Sequence, residues 1–236
     1  MMPTPAPATL APTGTAQDVV LFGTGMVADV ISVYLEKYSN LTIKAYTVDR
    51  EYVPGSGEFR GKPAVPWDEI ETHFPPGSLP LLGPLTYKGL NSVRRDRYLE
   101  GKQKGYAFAS FIHPDSHIDT DLIGEHVIIL ERNIIQPFAA VGNNVIIWSG
   151  NHIGHHVSVG DHCFIASQVG IAGATSIGPE CYLGGQAGIV HGITIGARCA
   201  LLNAAVIKAN LPDESVAVGH AAEIKPFKSK RIAHLL

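Results

Sequence analysis

Apolar side chains in the second half of the chain fall on every sixth residue. From Ile123 to Ile207 the series reads Ile123, Ile129, Ile135, Val141, Ile147, Ile153, Val159, Ile165, Ile171, Ile177, Leu183, Ile189, Ile195, Leu201 and Ile207, with no insertion or deletion. A helix burying one stripe needs a period near 3.6, and a half-buried strand needs a period of 2. A period of six meets neither. It is the period of a parallel β-helix, in which three six-residue flats make one triangular coil. Each flat turns one aliphatic residue inward. Gly often follows at once, as at Gly124, Gly142, Gly154, Gly160, Gly178, Gly184 and Gly196, and these glycines are expected to ease the turns between flats.

A second inward slot lies four places after each aliphatic residue and holds small fillers such as Val127, Ala139, Thr175 and Ala187. Cys163, Cys181 and Cys199 share that slot at intervals of one coil. They should stack about 4.8 Å apart, the spacing of neighbouring strands. Buried filling is the expected role, since bridges are rare in a reducing cytosol.

The first half has a different texture. Asp18–Phe22 reads as a buried strand, Gly23-Thr24-Gly25 as a tight turn, and Met26–Lys37 as a helix with Val27, Val30, Ile31 and Tyr34 along one stripe. A second strand spans Leu41–Val48, a short helix Trp67–His73 and a third strand Leu79–Leu82. Residues 88–104 are helix-prone, and Tyr106–Ile112 reads as a closing strand. Strand and helix in alternation predict a small Rossmann-like unit. The fold class is therefore α/β plus all-β. Its expected divisions are a disordered arm over residues 1–16, the Rossmann-like domain over 17–114, the β-helix over 115–219 and a tail over 220–236, with Pro114–Asp121 as the polar junction.

Charge and composition narrow the function classes. A net charge of −3 gives no general support for a nucleic-acid or anionic-membrane partner. The basic run of Lys225, Lys228, Lys230 and Arg231 is confined to the tail. No stretch approaches the roughly 20 apolar residues of a membrane span. The first 16 residues lack the features of a signal peptide, so a cytoplasmic protein is the default.

Candidate chemistry falls in two places. Gly23-x-Gly25-x-x-Ala28 fits the dinucleotide fingerprint, and Asp49 stands near the position of its ribose-binding acid. The turn could be structural, could hold a phosphate- or sugar-bearing ligand at the helix N-terminus, or could take a nicotinamide cofactor. Tyr87, Asn91 and Arg94 open the next helical stretch. Asn91 and Arg94, one turn apart, could reach the same ligand or could be a cap and a solvated arginine. In the coil, Asn151-His152-Ile153-Gly154-His155-His156 concentrates imidazoles beside Trp148. With Ile153 and Val157 inward, His155 and His156 must sit at a corner, where one could act as a base. A metal is not expected. His155 and His191 share a column but lie two coils apart, about 9.6 Å by strand spacing, too far to share zinc at bond lengths near 2.1 Å. A trimer could bring histidines of different subunits together, which keeps a metal-dependent hydratase as an alternative.

These features together resemble the bacterial sugar acetyltransferases, comprising nucleotide-aminosugar N-acetyltransferases and sialic acid O-acetyltransferases. The resemblance rests on Gly23-Thr24-Gly25, on Tyr87, Asn91 and Arg94, on Trp148 to His156, and on the hexads to Ile207, and spans residues 18–222. It implies a left-handed β-helix, a sugar-nucleotide-binding N-terminal domain, a homotrimer and acetyl-CoA as co-substrate. It further implies that His155 is the catalytic base, that Gly173 offers a backbone N–H to the thioester oxygen, and that Gly185 and Asn203 flank the pantetheine arm. Gly23, Gly25, Asp49, Tyr87, Asn91, Arg94, Asn151 and His152 would contact the sugar substrate. Two departures stand out. His156 replaces the glutamate that often follows the base, leaving His156, Asp161 or another subunit to orient His155. Gly219-His220-Ala221-Ala222 replaces the usual G-x-P-A turn. A non-catalytic nucleotide-sugar-binding trimeric scaffold is the remaining alternative.

Overall fold

A computed structural model of the chain describes residues 16–83, 86–222 and 226. The arm expected over residues 1–16 lies outside them except for Ala16, as does the basic run of the tail. The chain begins with β1 (Gln17–Phe22), whose Val19, Val20 and Leu21 are fully buried because helices and coil cover both faces of the strand. It then forms α1 (Met26–Tyr38) and β2 (Leu41–Val48), the latter spanning the residues the sequence predicts. The next strands, β3 (Glu58–Phe59) and β4 (Lys62–Pro66), are not legible in advance. Pro63 and Pro66 disguise β4, which still pairs with β2 through Tyr46, Thr47 and Val48. A 3-10 turn at Trp67–Glu69 leads into α2 (Ile70–His73). β5 (Leu81–Leu82) and α3 (Ser92–Gln103) follow. The sheet runs β3-β4-β2-β1-β5, with only β3 antiparallel.

The expected closing strand over Tyr106–Ile112 is corrected by the pairing. Only Phe108 bridges to Leu81, while Phe111–Ile112 pairs in parallel with Ile128–Ile129 of the coil. The coil therefore starts at Phe111. Within the expected junction, His117–Ile118 is itself a coil strand, paired with Ile134–Ile135.

Three parallel sheets of seven, six and four strands form the faces of the coil. The fifteen-residue aliphatic series fills its interior together with the second slot, which places Cys163, Cys181 and Cys199 in the core as free thiols. The faces differ in the residue just before each aliphatic position, which points outward because side chains alternate along a strand. One face presents Ala140, Ser158, Ser176 and Thr194. A second presents Ile128, Ile146, Phe164 and Tyr182. Of these, Ile128, Ile146 and Phe164 are buried in one cluster with Val19, Leu21, Ile31 and Tyr46, and Tyr182 packs against it, so this is the face the N-terminal unit covers. The third presents Ile134, His152, Gly170, Gly188 and Val206, and is called the glycine face below.

The glycines after the aliphatic series do not supply the turn conformation. The left-handed residue at each corner comes two places later, and is usually not glycine: Phe138, Asn144, His156, His162, Gln168 and Gln186 all have φ between 54 and 65. The glycines instead permit close stacking of coils. A Cβ on Gly154 would lie 2.6 Å from the Gly173 nitrogen, and one on Gly160 would lie 2.7 Å from that of Pro179. Such contacts are far inside van der Waals distance, so only a hydrogen fits.

Candidate functional site

The histidine cluster forms where the glycine face ends. His152 projects outward from its strand, and Gly170 and Gly188 continue its register in the next two coils. With nothing within 4 Å of a Cβ at either glycine, the surface beyond His152 falls to bare backbone. The result is a groove of about 560 Å³ lined by Gln136, His152, His155, Gly173, Val190 and Val206.

At the corner bordering this groove, the His155 backbone N–H donates to Gln136 Oε1 (2.9 Å). Nδ1 of His155 lies 3.1 Å from Nδ1 of His156. His156 takes the left-handed corner conformation (φ 57), and its ring packs on Phe138 with centroids 4.7 Å apart. These contacts hold His155 over Gly173, where a Cβ would stand 2.7 Å from both Cε1 and Nε2 of the ring. The Gly173 N–H has no acceptor among the described residues, whereas its carbonyl accepts from Gly192 (3.0 Å). Nε2 of His155 and this amide are thus brought to one spot.

Asp161 is not the partner of His155. Its Oδ1 accepts from the Asn143 backbone N–H (2.7 Å) on another corner. The two-coil separation of His155 and His191 also proves too crude an estimate. Their ring centroids are 6.0 Å apart, closer than the strand spacing implies. Among the described residues no group of three His, Cys, Asp or Glu is arranged to hold a metal ion.

A second cavity, of about 720 Å³, opens at the N-terminal unit and is lined by Gly23, Thr24, Gly25, Met26, Asp49, Glu51, Tyr52, Thr86, Lys88 and Val93. Gly23 has φ 132, which favours glycine, and Gly25 caps α1 in an extended conformation, so the first N–H groups of α1 face the cavity. Asp49 accepts from Arg97 Nε (3.0 Å) and Nη2 (2.9 Å), which fixes its carboxylate on the rim. Thr24 Oγ1 donates to the Tyr52 carbonyl (3.1 Å) and ties two walls together. Sequence reasoning found Gly23, Gly25 and Asp49. It missed Tyr52, Thr86 and Lys88, because the loops after β2 and β5 carry no periodic signal.

Several expected contacts lie elsewhere. Arg94 is wholly buried and donates to the backbone carbonyls of Thr86, Asn144, His162 and Cys163 and to Asn91 Oδ1. Asn91, also wholly buried, donates through Nδ2 to the carbonyls of Glu180 and Cys181 (both 3.1 Å). Both side chains are consumed in fastening α3 to the coil, so neither reaches a ligand at the glycine turn. Tyr87 lies against Phe164 (4.9 Å) and Tyr182 (5.2 Å), outside the cavity lining. Asn151 fills the second inward slot, donating to Asn133 Oδ1 and accepting from the Val169 N–H, and is buried away from any substrate. Counting two hexads back from Cys163 reaches Asn151, so this placement was available in the sequence. Gly185 and Asn203 sit at the corner after the covered face, following Leu183 and Leu201. His155 follows Ile153 at the end of the glycine face. One chain does not bring these residues together.

Comparison with known families finds the bacterial transferase hexapeptide (six repeats) over residues 138–173, the stretch that holds the imidazole corner. No curated protein matches the sequence. Among solved structures, the chain is similar to a variant of perosamine N-acetyltransferase from Caulobacter crescentus in complex with CoA and GDP-perosamine. The identity is 24%, the TM-score 0.73, and 91% of this chain and 98% of that one are covered. It is also similar to the acetyltransferase domain of PglB from Neisseria gonorrhoeae FA1090 in complex with acetyl coenzyme A, at 19% identity and TM-score 0.72, covering 88% of this chain and all of that one. A more distant likeness is WeeI from Acinetobacter baumannii AYE, at 16% identity and TM-score 0.53. At these identities the likeness is one of fold, and it extends through the N-terminal unit as well as the coil.

Proposed function

We propose that the chain is an acetyl-CoA-dependent acetyltransferase acting on an amine or hydroxyl of a nucleotide-linked sugar, in surface glycan biosynthesis. The observation that carries this reading is the placing of the His155 ring over the free Gly173 amide at the edge of a glycine-floored groove. A base and an oxyanion donor at one spot suit acyl transfer. The bare floor at Gly170 and Gly188 suits a slender pantetheine arm, for which any side chain would be an obstacle.

Acetyl-CoA supplies the activated thioester. Nε2 of His155 takes the proton that the sugar amine or hydroxyl loses as it attacks the carbonyl; the C–S bond then breaks, and the departing CoA sulfur recovers that proton from Nε2. For Nε2 to be the acceptor, Nδ1 must carry the ring proton and donate it to Nδ1 of His156, which fits their 3.1 Å separation. His156 thereby orients the base in the manner of the more usual carboxylate. The Gly173 N–H faces the oxygen that becomes negative, and a fixed donor there is worth about 2.7–4 kcal/mol.

The N-terminal cavity is read as the sugar-nucleotide site of a Rossmann-like domain, with its phosphates at the N-terminus of α1 and Asp49 and Lys88 on its rim. The coil is read as left-handed. A homotrimer would place Gly185 and Asn203 of one subunit beside His155 of the next and so complete the acetyl-CoA groove. Among the described residues no helix is long and apolar enough to cross a membrane. The place of work is read as the cytoplasm. The test is turnover of acetyl-CoA with a panel of nucleotide-linked aminosugars, run beside His155→Ala. A loss of about 10²–10⁴-fold in the variant is expected; turnover within twofold of the parent would remove His155 from the mechanism.

A further inference from the structure

His126 is a buried histidine that the chemistry above does not use, and it makes a contact between the two halves of the molecule. It belongs to a coil corner, yet its Nε2 accepts the backbone N–H of Gly83 (2.8 Å), just past β5. As an acceptor at Nε2 the ring must be neutral, and burial holds it so, drawing its pKa down to about 3. Tyr98 of α3 stacks on it with planes 1° apart, and Phe108 closes another side with centroids 4.6 Å away. Arg94 makes a matching contact a few residues on. Its guanidinium is seated among the coil carbonyls of Asn144, His162 and Cys163 and reaches out to the carbonyl of Thr86. Thr86 and Lys88 line the N-terminal cavity.

We infer that His126 and Arg94 are positioning residues for the sugar-nucleotide site: by holding Gly83 and Thr86 against the coil, they set the cavity wall that Thr86 and Lys88 present to the ligand. This rests on the sugar-nucleotide reading of the cavity. It assigns to the coil a part in substrate recognition, separate from its part in acyl transfer. All the protein groups that receive Arg94 are uncharged oxygens, and His126 is neutral, so the wall is fixed by hydrogen bonds of defined direction and not by an ion pair that could slide.

The variant to examine is His126→Phe in the full chain, with His126→Gln as its conservative counterpart. The corner conformation admits both, since Phe138, Gln168 and Gln186 adopt it at equivalent positions (φ 62 to 65). Phe fills the same space without an acceptor for Gly83, whereas Gln places an oxygen near the position of Nε2. The KM for GDP-perosamine, or for whichever UDP- or dTDP-linked aminosugar is the better substrate, is expected to rise about tenfold in His126→Phe, the effect of one orphaned buried N–H. His126→Gln should stay near the parent, and kcat and the KM for acetyl-CoA should stay unchanged in both. An unchanged sugar KM in His126→Phe overturns the inference, as does a parallel fall in every parameter. Hydrogen exchange on the parent gives a reading that needs no variant to fold. The Gly83 amide should exchange as slowly as coil amides, and exchange at the rate of an open loop overturns the inference. If the parent binds no nucleotide-linked sugar at all, the sugar-nucleotide reading fails, while the Gly83 measurement still reports on the seat itself.

Discussion

The ring of His155 occupies the space that a side chain on Gly173 would need, with Cε1 and Nε2 each 2.7 Å from where that Cβ would be. One residue is glycine because the other is histidine. Gly173→Ala should therefore push the imidazole aside while sparing the coil, because the colliding atoms end a movable side chain. Turnover is expected to fall by about 10²-fold, the worth of a positioned general base. The thermal midpoint should stay close to the parent's. An active Gly173→Ala enzyme would mean that the ring does not work where it is seen.

The pairing of His155 with His156 makes a distinct prediction about the base's orientation. Nδ1 of His156, 3.1 Å from Nδ1 of His155, can accept the ring proton that leaves Nε2 free. His156→Ala removes that acceptor and should lower turnover about tenfold or more, within the worth of a positioned general base. His156→Glu and His156→Gln each offer an oxygen that accepts and should keep most of the activity. Turnover in His156→Ala equal to the parent's would dissociate the two rings.

Glycines of the coil should separate into two classes. At Gly160 a Cβ would meet the backbone of Pro179 and Gly178 at 2.7 to 2.8 Å. Backbone cannot swing away, so Gly160→Ala should cost about 1–3 kcal/mol in urea unfolding. At Gly188 a Cβ would meet nothing within 4 Å. Gly188→Ala should leave stability within about 0.5 kcal/mol but raise the KM for acetyl-CoA by roughening the groove floor. Equal destabilisation by both would refute this division.

Stability should also decline on mild acidification. Burial lowers the pKa of His113, His126 and His162, His126 to about 3. An unfolded histidine takes up its proton near pH 6.5. Between about 6.5 and 3 the unfolded state thus binds more protons than the native state, so stability is full above that window and falls as pH drops through it. One such histidine contributes at most about 1.4 kcal/mol per pH unit. Urea midpoints from pH 7 to pH 4.5 should fall, and less steeply in His126→Gln. A flat profile would contradict the burial of these rings.

The interior of the coil was legible because it obeys a one-dimensional rule: each sixth residue meets the same surroundings as its predecessor. The role of Gly154 and Gly160 was not, since a glycine needed for closeness and one needed for a turn look alike in sequence. Arg94 illustrates a second limit. Its spacing from Asn91 suggested a shared helical face; Asn91 instead stands just before α3, yet the two side chains meet, Arg94 Nη1 donating to Asn91 Oδ1 (2.9 Å). But whether that face meets a ligand or the carbonyls of Asn144 and Cys163 depends on how two distant segments dock. The signal for that docking lay instead in Ile128, Ile146 and Phe164, apolar residues at outward positions where the other faces carry serine or glycine. For the site, the His155–His156 corner and the Gly23–Gly25 turn could be anticipated. Thr86 and Lys88 could not, because no local pattern marks the side of a loop that faces a cavity.

Near the end of the coil the ladder loses step. Ile195 bridges to Leu211 and Ala200 pairs with Val216, each sixteen residues on, where the pairings from Ile123 to Ile207 join residues eighteen apart. A rod built from identical rungs is a template for its own extension, and a second molecule could in principle dock head-to-tail and continue it into a filament. The shortened rungs pull the corners of this end out of line with those of a regular coil, so such an extension is expected to meet a mismatched seat.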